Sequence, residues 1–468
     1  MSAAGREETR EHDTPFYTVC PMSSIRIGSG AGYSGDRIEP AVELAGTGDI
    51  AYLVFECLAE RTIALAQLAR RKDPKTGYDP MLKARMETCL PVCRDKGIRI
   101  ITNMGAAHPE AAAEATRDIA QRLGMGDLSI AAVLGDDVFD LVQKGTYPLE
   151  ETGDRSTTLP GRMVSANAYL GAGGIVEALE AGADVVITGR VADSALFTAP
   201  AIYEFGWSMD DWDMMGQAVV MGHLLECAGQ VTGGYFADPG YKDVPDLARL
   251  GFPLAEVEAD GSFTVTKPPG SGGMVTLATC KEQLLYELFD PSSYVTPDVV
   301  ADFTGVRMEK TGKNRVRVTG GRGRARTGSL KVSIGYLDGF IGEGQISYGG
   351  TGAAARGRLA LDIVAERLRL AGVECREIRR ELIGLNSLVG EGVLQSEQEP
   401  PEVRVRFAGR VWTMEEALRI GDEVERLYTN GPAGGAGAWK AAREIIAVAS
   451  TFIPCSLVRH HIRYYGAD

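Results

Sequence analysis

The chain has 468 residues, a length that sets a prior of roughly two or three domains. Hydrophobic residues make up 44% and charged residues 24%, the profile of a globular chain rather than a disordered one, and no apolar run approaches the roughly 20 residues that span a bilayer. The formal net charge is −14, with no lysine/arginine block long enough to track phosphates, so neither nucleic acid nor membrane is an expected partner.

Residues 1–22, opening MSAAGREETREHDTP, carry both signs of charge and no apolar core, and read as a flexible tail rather than a signal peptide. Residues 24–37, SIRIGSGAGYSGDR, then run from a short strand into a loop with glycines at 28, 30, 32 and 35. A strand that feeds a glycine-rich turn and a helix leaves backbone N–H groups free for an anion. Ser29, Gly30, Gly32, Ser34, Gly35, Asp36 and Arg37 are therefore candidate anion-binding residues. A helix over 37–45 and a nearly continuous apolar strand over 49–55 follow, and Glu56 and Glu60 stand at that strand's exit.

Helices are expected over 60–71 and 81–95, the second containing Pro91 and closing at Gly97. A third strand, 98–102, runs into Asn103 and His108, with Pro109 opening the next helix. A fourth strand, 128–134, ends at Asp136 and Asp137. Residues 163–169 are expected to form a fifth, carrying Asn167 and Tyr169, and 184–188 a sixth, which opens into Arg190 and Asp193. Strand, polar or glycine-rich loop, helix, repeated about six times, argues for a parallel Rossmann-like sheet with helices on both faces. Right-handed crossovers bring every strand-to-helix loop to the C-terminal edge of such a sheet, where ligands bind.

A long helix over about 212–230 carries His223, Glu226 and Cys227 on one face. Residues 23–243 are accordingly expected to form the parallel α/β domain. From 244 the texture changes to short segments punctuated by proline and glycine, and residues 244–468 are expected to form a C-terminal α/β or α+β domain. Its expected strands lie at 299–303, 315–318, 330–336, 381–385 and 403–405, and its helices at 277–289, 353–371, 414–428 and 437–451. The basic stretch 314–326 reads as a hairpin or subunit contact, with an anion-binding loop as the alternative.

Eight cysteines without a C-x-x-C pair suggest reduced thiols and a cytoplasmic location. Cys89 and Cys93 read as core packing. Gly30-x-Gly32-x-x-Gly35, with Glu56 some 20 residues on, fits the dinucleotide fingerprint. Against an NAD(P) site stand the short first helix and the charged pair Asp36-Arg37. Generic anion binding and a merely structural turn remain open. Glu56 and Glu60 are candidates for acid/base work, or Glu60 pairs with a Lys/Arg while Glu56 binds a hydroxyl. His223 is a core histidine or an acid/base, and His108 a catalytic residue or a surface residue at a helix start. Arg190 clamps a substrate carboxylate, or pairs with Asp193. Asp36, Asp136, Asp137 and Asp193 would suit Mg²⁺ as an alternative, with no metal assigned.

Taken together, GAGYSGDR (30–37), YLVFECLAERT (52–62), TNMG (102–105), VITGRVAD (186–193), GHLLECAGQVTGGY (222–235), EQLLYELFDP (282–291) and TPDVVADF (296–303) resemble the acyclic terpene utilisation family named after AtuA. The resemblance runs over most of residues 24 to 451. It implies a short form that lacks an extra C-terminal domain and works with a small accessory subunit. It also implies a place in the breakdown of branched terpenoid acids through acyl-CoA intermediates.

The leading expectation is a lyase or hydratase acting on a branched, carboxylated acyl-CoA or a hydroxy acid. Glu56, Glu60, His108 and His223 would move protons, Arg190 would hold the substrate carboxylate, and no redox cofactor is required. Asn103, Asn167 and Asp193 complete the expected binding set. The alternatives are an NAD(P)-dependent oxidoreductase using the glycine loop, and a non-catalytic assembly subunit. A homo-oligomer is expected in each case.

Overall fold

The computed structural model describes residues 24–390 and 399–466, so the expected tail over 1–22 lies outside the described residues. In chain order the first unit comprises β1 (Ser24–Ala31), α1 (Glu39–Thr47), β2 (Tyr52–Phe55), α2 (Glu60–Lys72), α3 (Leu82–Lys96), β3 (Arg99–Thr102), α4 (Pro109–Arg122), β4 (Ile130–Leu134) and α5 (Phe139–Lys144). It continues with β5 (Arg162–Ala168), α6 (Gly173–Glu180), β6 (Val185–Thr188), α7 (Ala195–Phe205), α8 (Trp212–Leu225), β7 (Leu254–Glu258) and β8 (Phe263–Thr266).

β2 (YLVF) and β6 (VVIT) are buried at every position, as strands covered on both faces must be. Alternation divides their side chains between two cores. Tyr52, Val54, Ile101 and Val186 join α6, α7 and α8 on one side, and Leu53, Phe55, Ile100 and Ile187 join α1, α3 and α4 on the other. Cys89 and Cys93, both fully buried on α3, belong to the second core, and burial pushes the Cys89 thiol up to about 12.

Five strands, β1-β2-β3-β6-β4, run parallel. Antiparallel strands extend the row at both ends. β7, β8, Arg315–Thr319 and Arg307–Gly312 follow beyond β1, and His461–Tyr465 beyond β4. The parallel α/β core is thus present, but its strand order is not the Rossmann one. There, β1 is central and the order reverses beside it. Here the other edge of β1 is occupied by antiparallel β7, so there is no reversal at the glycine corner.

A second sheet is ordered Glu377–Ile383, Glu402–Val411, Ser329–Gly349, Ala436–Pro454. Helices Ala353–Leu370 and Met414–Glu425 cover it around Phe407, Ile420 and Val424. Two sequence expectations fail here. β5 leaves the parallel row and pairs antiparallel with Ser329–Gly349. Residues 436–454 form a strand rather than a helix. Their alanines and charges favour a helix, but pairing along Ser329–Gly349 overrides that local preference. Sheets therefore cross position 243/244 in both directions. Among the described residues no helix is long and apolar enough to cross a membrane.

Candidate active site

A cleft of about 560 Å³ opens at the C-terminal ends of β1, β2 and β6. The loop after β1 supplies Gly32, Tyr33, Asp36 and Arg37, and residues 226–235 and 286–287 form the opposite wall. Glu56 follows β2 directly and is 8% exposed. Its Oε1 accepts from the Leu58 backbone N–H and from Asn103 Nδ2, both at 2.9 Å. Asn103 is held in turn by the Cys57 N–H, which donates to its Oδ1 at 2.8 Å. Burial pushes the Glu56 carboxyl up to about 7 against the pull of Arg190, Asn103 and the Leu58 amide, and Glu226 adds to the rise.

Glu60, in the first turn of α2, behaves oppositely. The Tyr169 hydroxyl donates to its Oε1 at 2.6 Å and Lys331 Nζ lies at 3.1 Å. Burial would raise its pKa, but Tyr169 and Lys331 outweigh burial and hold it at about 2. The pairing of Glu60 with a cation, an open alternative in the sequence, is the arrangement found. Two carboxylates at one strand exit are thus driven apart, Glu60 ionised and Glu56 titrating near neutrality.

Arg190 is fully buried beneath them. Its Nε donates to Val191 O at 2.8 Å, Nη1 donates to Leu58 O, and Nη2 pairs with Asp193. The guanidinium also lies 4.4 Å over the Tyr169 ring. A guanidinium so enclosed is not a free clamp for a substrate carboxylate. It supplies positive charge under Glu56 and fixes the 190–193 turn, while Asp193 reaches the cleft.

His223 is 1% exposed and packs at steep ring angles against Tyr294 and Phe303. Its Nδ1 lies 2.9 Å from Glu226 Oε1 and its Nε2 3.2 Å from Leu284 O. Burial pulls the imidazole down, but Glu226 and the nearby carbonyls prevail and its pKa is raised. His223 is thus linked to the cleft through Glu226, whose Oε2 is buried with no hydrogen-bond partner among the described residues.

The glycine corner holds an anion of its own. Asp36 Oδ2 accepts from the Gly32 N–H and Oδ1 from the Arg37 N–H, each at 3.0 Å. Arg37 Nη1 donates to Ala248 O at 2.8 Å. Gly30 lies inside β1, where a Cβ would stand 2.7 Å from the Phe55 ring, and at Gly35 a Cβ would stand 2.7 Å from Tyr33. At Gly32 a Cβ would stand 2.5 Å from the Cys227 backbone, so this glycine is required by close approach. Ser29 is buried in β1, and the Ser34 carbonyl accepts from Arg85 Nη2 at 3.0 Å. The helix that follows the glycine loop begins only at Glu39, past Gly35, whereas the dinucleotide fingerprint opens its helix within the glycine turn.

Ser29, Gly30, Ser34 and Gly35 do not line the cleft, and neither do His108 and Asn167. His108 precedes α4 with Nδ1 3.2 Å from Thr76 O, outside the cleft lining. Asn167, on β5, donates to Asp136 Oδ2 at 2.8 Å, and Asp136 in turn accepts from the Arg190 N–H at 2.9 Å. Asn167 thus supports the 190–193 turn from behind. Asp136, pushed up to about 6 by burial, and Asp137, which accepts from Gln67 at 3.1 Å, are likewise engaged. Among the described residues no three His, Cys, Asp or Glu side chains are grouped to hold a metal.

Glu226, Tyr286 and Lys331 are the contributors outside the expected site, which Tyr169, carried by the expected fifth strand, joins through Glu60. Glu226 was signalled by its spacing from His223. Lys331 meets Glu60 across 271 positions, with no local signal.

Neither the curated proteins nor the solved structures compared with this chain include a match. The family model described as "Acyclic terpene utilisation family protein AtuA" matches residues 25–464. With nearly the whole chain covered, it belongs to the AtuA family of acyclic terpene utilisation.

Proposed function

We propose that the chain is a lyase or hydratase of terpenoid or branched-acid breakdown, acting on a branched, carboxylated acyl-CoA or a hydroxy acid. The observation that carries this reading is the near-neutral Glu56 beside the strongly acidic Glu60 in one cleft. A general base works best when its pKa lies near the operating pH. Ionised Glu56 takes the proton from the carbon beside the substrate carbonyl, and the buried charge of Arg190 favours its ionised form. Glu226, oriented by His223 and with Oε2 unpartnered, is the second group able to pass a proton at the opposite wall. The cleft volume of about 560 Å³ falls within the range of small-molecule sites, about 300–1,000 Å³. Tyr33, 61% exposed, and Tyr235, 87% exposed, offer aromatic surface at its rim to a branched chain.

The reading places the protein in the cytoplasm. The described cysteines are all unpaired, which fits a reducing compartment. Turnover of a panel of branched acyl-CoA acids and hydroxy acids tests the assignment. Glu56→Gln should fold normally and lose about 10²–10⁴-fold in kcat. An unimpaired variant would remove Glu56 from the chemistry, and a wild type inert toward the whole panel would favour the assembly role.

A further inference from the structure

A second cleft, of about 670 Å³, lies on the antiparallel wing of the large sheet and shares no lining residue with the first. The wing alternates as a half-covered sheet should. Ile27, Ala255, Val265 and Val316 enter the core, while Arg26, Glu256, Thr266 and Arg315 line the cleft.

Its ionisable lining consists of four cations, Arg26, Lys267, Lys313 and Arg315, against one carboxylate, Glu256. Asp49, outside the lining, pairs with Arg26 Nη1 at 2.9 Å, so the uncompensated positive charge lies on the two lysines, on a chain of net charge −14. Glu256 is committed to the arginines, with Oε1 2.9 Å from Arg26 Nη2 and 3.0 Å from Arg315 Nη1. Among the described residues neither lysine has a carboxylate in pairing distance. Lys267 is 7% exposed, and its Nζ donates to Ser271 O at 2.5 Å and to Ser271 Oγ at 3.0 Å. An ammonium has three donors, so one remains. Among the described residues no carboxylate pairs with Lys267. Burial lowers its pKa, Glu43 opposes that from beyond pairing distance, and Lys313 adds like-charge repulsion. Burying an ammonium is unfavourable unless a counter-charge joins it.

We propose that this cleft binds a small polyanion, borne on phosphate or carboxylate groups, with Lys267 and Lys313 as its direct contacts. Lysine suits such a ligand as a point charge. The site is independent of the reaction assigned to the first cleft.

Isothermal titration of the full chain at low salt, with inorganic pyrophosphate in one arm and citrate in the other, tests it. At least one should bind at a single site, and which one binds assigns the anion. Lys313→Ala, at an exposed position, should weaken binding about tenfold or more, equivalent to about 1.4 kcal/mol. Lys267→Met should weaken it further, and Glu56→Gln should leave it unchanged. Absence of binding in both arms, binding insensitive to Lys313→Ala, or binding lost in Glu56→Gln would each overturn the proposal.

Discussion

In the proposed reaction Glu56 is the base because its surroundings set its ionisation. The carboxyl is raised from 4.5 to about 7, so the base form accumulates only as pH rises through neutrality, and kcat/KM should climb through that range. The stability linkage has a definite sign. Between about 4.5 and 7 the folded chain keeps a proton that the unfolded chain releases. The Glu56 contribution is therefore fully present below the lower value and is lost as pH rises through the upper one. Glu56→Gln, which cannot ionise, should lose less melting temperature than the wild type between those two pH values. Equal losses in a scanning-calorimetry comparison would count against the raised carboxyl. At this scale the sequence reads unevenly. A glutamate at the exit of an apolar strand is visible as a candidate. Arg190 looks like a clamp until the fold brings Leu58 O, 132 positions away, onto its Nη1.

The glycine corner shows how an element can keep its local form while its role changes. The strand runs on through Gly28 and Gly30 to Ala31, the amides of Gly32 and Arg37 are taken by Asp36, and the helix starts at Glu39. What the corner needs is contact with the wall around Cys227. Gly32→Ala puts a methyl 2.5 Å from that backbone. It should cost roughly 1–3 kcal/mol, as overpacking does, readable by urea unfolding, together with reduced turnover. A variant of unchanged stability would mean that the two walls are not in close register. Residues 436–454 fail in the other direction. Their composition suits a helix, but sixteen paired positions along Ser329–Gly349 decide the outcome, and such long-range pairing leaves no trace in a local pattern. The same holds for β5, whose apolar alternation is equally compatible with either sheet.

Over the whole molecule, the parallel core was legible because buried strands must be apolar throughout and the turns between them carry glycine and proline. The strand order was not, since periodicity says nothing about which edge of β1 a later strand will occupy. That order matters to function. With β7 on the edge of β1 and no reversal beside the glycines, the chain should give no heat on titration with NAD(H) or NADP(H) at micromolar levels. Saturable binding there would revive the oxidoreductase alternative. The cleft at the C-terminal strand ends remains the place where residues from β2, β3, β6 and the segment after α8 meet, and proton transfer at Glu56 is what the account stands on. The direct test is solvent exchange by NMR in D₂O with branched acyl-CoA acids. The account predicts deuterium incorporation at the carbon beside the carbonyl in the wild type and its loss in Glu56→Gln. Exchange at the wild-type rate in that variant would contradict it.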